Sequence, residues 1–183
     1  MALFAFLCVG ASTAAHAQEM EVPVDLQIPL FVKVMSFDRS MTARSGRSRV
    51  IAIVFQSKNV ASTKAREDAE RAVLALARGV GGVTYRAVTI DLDGETLAAG
   101  LRRERTDFLY ITPLRGVDIG AIATAAQTDG VVTWTGVPKY LTQGVAVGLR
   151  RERERPRIMI NLRAARLQLC DFSAELLKLA QIL

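Results

Sequence analysis

The chain has 183 residues, a formal charge of +6 and 50% hydrophobic residues. That is the size of one ordinary domain with a real core, and so high an apolar fraction excludes a disordered chain. No apolar run approaches the ~20 residues of a membrane-spanning helix, so the chain is not read as membrane-spanning.

Residues 1–17 differ from the rest of the chain. Leu3 to Val9 is an apolar run, small residues come next, and Ala15-His16-Ala17 has the small-x-small form of a signal-peptide cleavage site. The reading is an export signal over 1–17 and a single domain over 18–183. No Lys or Arg precedes the apolar run, which departs from the usual signal. Cys8 stands too early for a lipoprotein cleavage site, so export without a lipid anchor is expected. Cleavage after Ala17 removes His16, the only histidine, and leaves Cys170 as the only cysteine. A mature chain of that kind has no Ser-His-Asp or Cys-His machinery and no ordinary zinc site. Flanked by Leu169 and Phe172, Cys170 reads as a buried apolar thiol, with an intermolecular bridge as the other reading.

From there the chain alternates helices and strands. Segment 24–37 reads as a helix with Leu26, Leu30, Phe31, Val34 and Met35 on one face. Pro29 fits a first turn, which places the firm start near Gln27. A polar loop at 41–48 precedes VIAIVF (50–55), a strand with the uniform apolarity of one buried on both faces. Residues 62–79 form an amphipathic helix with Ala69, Val73, Leu76 and Ala77 inward and Gly79 as its stop. Strands are expected at 83–90, 106–113 and 130–136, with helices at 94–105 and 116–127 between them. Two more strands, 144–149 and 156–162, flank the charged tip RRERER (150–155) as a hairpin closing one sheet edge. After Asn161 come a loop with Cys170 and a final helix, SAELLKLAQIL, with Leu176, Leu177, Ala180 and Leu183 inward. The β-α alternation gives the fold class: α/β, a three-layer sandwich with a largely parallel central sheet, closed by a C-terminal antiparallel hairpin and final helix.

Several stretches invite functional readings. ARGVGGVTY (77–85) has the glycines of a phosphate loop but runs from helix into strand, the reverse of the order such loops need, and so reads as a helix stop and turn. LRRER occurs at 101–105 and 149–153; the interleaved Glu and missing aromatics favour a solvated helix end and a solvated hairpin tip over nucleic-acid binding. Asp91, Asp93 and Glu95 come directly after a strand, where α/β proteins place ligands, but a plain strand-helix turn with Asp near the helix start is the better reading. Trp134 is read as core. Lys33, Asp38 and Arg39 mark a charged surface at the end of the first helix, either a partner contact or a solvated patch.

The C-terminal string Ile160-Asn161, Ala164-Ala165-Arg166, Ser173 and Leu176-Leu177-Lys178-Leu179-Ala180 resembles the ending of the YfiR-like (HmsC-related) family of exported regulators. LFVKVMSFDRSM (30–41) looks like that family's opening helix, TDFLYITP (106–113) occupies its central strand, and YLTQGVAVGL (140–149) resembles its turn into a Gly-led edge strand. The chain departs from the family in four places. One mature cysteine replaces the disulfide-forming pairs, so redox sensing through an internal disulfide is not carried over. Gln143-Gly144 stands for Gly-Gly, Met159 for a common Phe, and Gln168 or Leu169 for the glycine before the final loop.

The resemblance implies a periplasmic, non-enzymatic protein without cofactor, often a homodimer. Its partner would be the periplasmic sensor domain of an inner-membrane protein, a diguanylate cyclase or histidine kinase, which it represses, controlling cyclic di-GMP and biofilm formation. Nucleic acid is not an expected partner. The expected site residues are Asn161 and Ser173, which organise the C-terminal motif, and Lys33 and Asp38 as a contact surface. For Asn161 and Ser173 the alternative is a loop bond and a helix cap alone. The other function class is a module binding a small anionic ligand at the strand C-termini.

Overall fold

A computed structural model describes residues 20–42, 48–76 and 82–183. The expected signal over 1–17, Cys8, His16, Ala77 and the glycines at 79 and 81 lie outside the described residues. Within the described residues seven strands form one sheet in the order β2-β1-β3-β4-β5-β6-β7. They are β1 (Ser48–Phe55), β2 (Thr84–Asp91), β3 (Phe108–Ile111), β4 (Val132–Thr135), β5 (Val147–Glu152), β6 (Arg155–Ile160) and β7 (Gln181–Ile182). All neighbours are parallel except β5 and β6. The first five strands thus adopt the doubly wound order 2-1-3-4-5, which reverses direction between β1 and β3.

Among the described residues six α-helices connect and cover the sheet: α1 (Val24–Met35), α2 (Val60–Leu76), α3 (Leu97–Glu104), α4 (Ile119–Thr128), α5 (Leu162–Leu167) and α6 (Ala174–Leu179). The strand faces divide the core in two. On one face Ile51, Ile53, Phe108, Tyr110 and Trp134 pack with α1, α2 and the C-terminal helices. On the other, Ala52, Val54, Leu109 and Ile111 pack with α3, α4 and the 3-10 helix Pro138–Gln143. Alternate residues of one strand therefore serve opposite layers, which is why β1 from Val50 onward and β3 had to be apolar. The α/β three-layer class is the observed one.

Trp134 is fully buried. Its ring stacks on Phe108 at 4.5 Å and on Phe31 at 5.3 Å between centroids. A buried amide also ties α1 to the sheet. Gln27 has no exposed surface; its Nε2 donates to the Val22 carbonyl at 2.6 Å and its Oε1 accepts from the Tyr110 hydroxyl at 2.7 Å. Burial pushes the Tyr110 phenol well above its ordinary value, so it stays a donor. Gly136 lies directly beneath, where a Cβ would overlap the Gln27 amide.

The structure corrects four sequence expectations. Helix α1 starts at Val24 with Pro29 inside it, and the inward face runs through Val24, Gln27, Ile28, Phe31, Val34 and Met35, while Leu26 is half exposed. Leu76 is only partly buried; Ala65 and Ala72 join Ala69 and Val73 inside α2 instead. The expected loop after Asn161 holds a helix, α5. The final helix ends at Leu179, and Gln181–Ile182 then pairs parallel with β6, so the hairpin does not form the sheet edge and Leu183 is not inward.

Candidate functional site

Asn161, expected to organise the C-terminal motif, is the N-cap of α5. Its Oδ1 accepts from the Ala164 N–H at 2.9 Å. Its amide donates to the Leu141 carbonyl at 2.8 Å, which binds the 3-10 helix to the start of α5. Six residues are too few for a helix to hold itself in water, so α5 depends on such anchors and on buried Ala164 and Ala165. Its far end is fixed by Gln168, buried at 1% exposure. The Gln168 Oε1 accepts from the Thr133 N–H at 2.8 Å and from the Thr133 hydroxyl at 3.0 Å. A groove of about 380 Å³ runs past Asn161, Leu167 and Gln168 against Thr124 and Gln143.

Leu169 takes a backbone φ of 64°, the left-handed region that favours glycine. Leu169 is one of the two positions, with Gln168, at which the resemblance leads one to expect a glycine. The turn brings Cys170 inside, at 7% exposure, and leaves Leu169 outside at 65%.

Ser173 is likewise a helix cap, accepting from the Leu176 N–H at 3.4 Å at the start of α6. Its own N–H donates to the Phe37 carbonyl at 2.9 Å. That bond belongs to a junction between the end of α1 and the segment before α6, where Asp38 and Phe172 form an antiparallel bridge. Asp38 is only 3% exposed. Its carboxylate accepts from the Asp171 N–H at 2.8 Å, the Ser40 N–H at 3.0 Å and the Ser40 hydroxyl at 2.9 Å. Arg39 closes the rim with a 2.8 Å ion pair to Asp171.

The structure therefore brings Asp38 and Ser173 together and leaves Asn161 apart, beside the 3-10 helix. Asp38, expected as a contact residue, is a buried internal acceptor whose carboxylate bonds go to the backbone of Asp171 and to Ser40. Lys33 remains exposed, its ammonium 5.3 Å from the centre of the Phe37 ring. Gln27, Gln168 and Asp171 carry much of the organisation and were not among the site residues expected from the sequence. A glutamine among apolar neighbours gives no signal of which helix face it occupies.

At the opposite end of the sheet lies the crevice where the strand order reverses. Gln56 comes after β1 and Arg115 after β3. Their exchange is reciprocal: Arg115 N–H to Gln56 Oε1 at 2.7 Å, Gln56 Nε2 to the Arg115 carbonyl at 3.0 Å. Asn59 donates to the Pro113 carbonyl at 3.1 Å and accepts from the Ala61 N–H at 3.2 Å. Lys58, Lys64 and Arg115 line a shallow groove of about 700 Å³ there. The acidic residues nearby are engaged. Asp91 accepts from the Ser57 N–H and Asp93 from the Lys58 N–H, while Glu95 pairs with Arg103. Burial pushes Asp91 up, but the bonds from Ser57 and the Asp93 N–H and the charge of Lys58 outweigh it and hold its carboxyl below the ordinary value. Among the described residues no group of three His, Cys, Asp or Glu side chains is placed to hold a metal, and no helix is long and apolar enough to cross a membrane.

Comparison with known proteins gives the fold first. The chain resembles the ABC domain in complex with L-Trp from Streptococcus pneumonia, with a TM-score of 0.62 at 11% identity, over 88% of this chain and 62% of that one. It resembles similarly a conserved domain protein from Vibrio cholerae O1 biovar eltor, with a TM-score of 0.61 at 12% identity, over 87% and 60%. The chain thus spans about three fifths of the length of each, and at these identities the likeness is one of fold. No curated protein matches the chain. The sequence model of one family matches residues 67–181, from within α2 to β7, which is more than half of the chain. The chain belongs to that YfiR/HmsC-like family, a family of periplasmic regulators of cyclic di-GMP signalling.

Proposed function

We propose that this protein is an exported, non-enzymatic regulator that binds the periplasmic sensor domain of an inner-membrane signalling protein, a diguanylate cyclase, and represses it. The observation that carries this reading is the family match over 67–181. In it, residues 1–17 are a cleaved signal and 18–183 the working domain, which can pair with a second copy. Repression is then a binding equilibrium: the free-energy difference between the bound and free regulator sets cyclase output, and hence exopolysaccharide and biofilm.

The same reading gives the C-terminal motif a role. Asn161 and Ser173 fix α5 and α6, and Asp38 locks that region to α1. The outer surface of this junction, with Lys33, Arg39 and Asp171, is the proposed contact.

The test is a pull-down with tagged protein starting at Gln18, incubated with detergent-solubilised inner membranes, together with cyclic di-GMP measured in a deletion strain. Capture of one membrane sensor carrying a cyclase domain, with raised cyclic di-GMP on deletion, is the expected result. Unchanged cyclic di-GMP and no captured sensor refute it.

A second reading, binding of a small anionic ligand, is favoured by the groove bearing Lys58, Lys64 and Arg115 at the strand reversal. Stabilisation of the protein by an anionic metabolite in a thermal-shift screen, lost in K58Q/R115Q, supports that reading.

A further inference from the structure

The β5–β6 hairpin extends beyond the sheet that carries it. β4 pairs with β5 only at Val147 and Gly148, and β7 pairs with β6 only at Met159 and Ile160. From Leu149↔Ile158 to Glu152↔Arg155 the two strands pair only with each other. The result is a two-stranded ribbon that ends in a two-residue turn, Arg153-Glu154, with φ of 46° and 64°. Because β5 is parallel to β4, the ribbon points out from the end of the sheet where the strand-reversal crevice lies.

Its base is fixed. Leu149 is buried with the α1-side core, and the Arg151 N–H donates to the Glu21 carboxylate at 2.7 Å. Beyond the base the ribbon is charged. Residues 150–157 hold five arginines against two glutamates, leaving three uncompensated positive charges.

Strand alternation and register put Arg150, Arg157 and Arg155 on one ribbon face, around Glu152. Arg150 and Arg157 are directly opposed, a like-charge pair that weakens a hairpin. The Glu152 carboxylate lies 2.8 Å from Arg150 and 3.7 Å from Arg157, so one anion serves two cations. Among the described residues Arg153 and Arg155 have no ion-pair partner, and the Nε of Arg150 is buried without a hydrogen bond.

We infer that this ribbon is a docking arm for an acidic protein segment, with the Arg150–Arg157–Arg155 face receiving carboxylates. Guanidinium forks pair bidentately with carboxylates. Cations two residues apart on a strand recur at about 6.6 Å, the spacing of alternate side chains on an extended partner segment. The interleaved Glu152 and Glu154 fit a protein surface of mixed charge and oppose a continuous layer of phosphates. The tip carries no apolar side chain to enter a bilayer. The inference rests on the regulatory reading only for which protein supplies the segment.

The test is backbone-amide NMR of the protein from Gln18, titrated with a synthetic peptide of four Thr-Glu repeats. A separate titration uses vesicles of phosphatidylglycerol and phosphatidylcholine. Peptide-induced shifts concentrated in residues 149–158 are expected, with apparent affinity falling about tenfold in R150Q/R155Q/R157Q, the loss of three exposed ion pairs. The variant R102Q/R163Q/R166Q removes the same charge from exposed sites elsewhere and is expected to bind as the wild type does.

Equal loss in the two variants, shifts scattered over the surface, or no shifts at all overturn the proposal. Vesicles broadening the ribbon signals while the peptide leaves them unmoved also overturn it, in favour of a membrane. These outcomes do not depend on cyclic di-GMP output, so the regulatory reading and the docking arm can fail separately.

Discussion

Replacing Asp38 by alanine separates an internal role from a contact role. The carboxylate accepts two backbone N–H groups and one hydroxyl at 2.8–3.0 Å while only 3% exposed. Hydrogen bonds to a charged group contribute about 1.5–3 kcal/mol each, and an unanswered buried donor adds its own penalty. Ser40 is half exposed and recovers part of its loss from water, so Asp38→Ala should cost about 3 kcal/mol. Asp38→Asn keeps an oxygen for the Asp171 and Ser40 N–H groups, and its new amide donates to the Ser40 hydroxyl. It should cost about 1 kcal/mol. Urea unfolding followed by far-ultraviolet circular dichroism, with an unchanged slope, measures both. A D38A protein within 1 kcal/mol of wild type, or a D38N protein as damaged as D38A, refutes the reasoning. Weaker partner binding at unchanged stability would restore Asp38 to the contact surface.

Two further predictions concern the core and the acid limit. Gly136→Ala pushes a methyl group into the Gln27 amide and should cost about 2 kcal/mol; in a Q27A background the same change should cost less than half that. Additive losses in the double-mutant cycle would show that the two sites do not touch. Asp91 has a folded pKa below its ordinary value of 3.8, so its contribution to stability is complete above the unfolded value and is lost as pH falls through the folded one. Urea midpoints measured down the acid limb should fall less steeply in Asp91→Asn than in the wild type, and parallel curves would count against the role of the Ser57 and Asp93 bonds.

The sequence alone determined the layered α/β class. Uniformly apolar runs such as 50–55 suit strands covered on both faces, and the strand-helix alternation allows little besides a largely parallel sheet. It also determined Trp134 as core and the hairpin's place in the chain. The family resemblance was legible in the spacing of Asn161, Ser173 and the leucines after it, because caps and the apolar stripe they precede are local signals.

The short C-terminal elements were decided by tertiary structure. LRAARL buries only two alanines, so its helix exists because Asn161 and Gln168 fasten its ends to Leu141 and Thr133. Gln181–Ile182 is a strand only because β6 offers an unpaired edge. The inward turn of Gln27 and the burial of Asp38 depend on partners 83 and 133 residues away, Tyr110 and Asp171. No local periodicity can report such pairings, since a polar side chain buried against a distant partner and one facing water look the same along the chain.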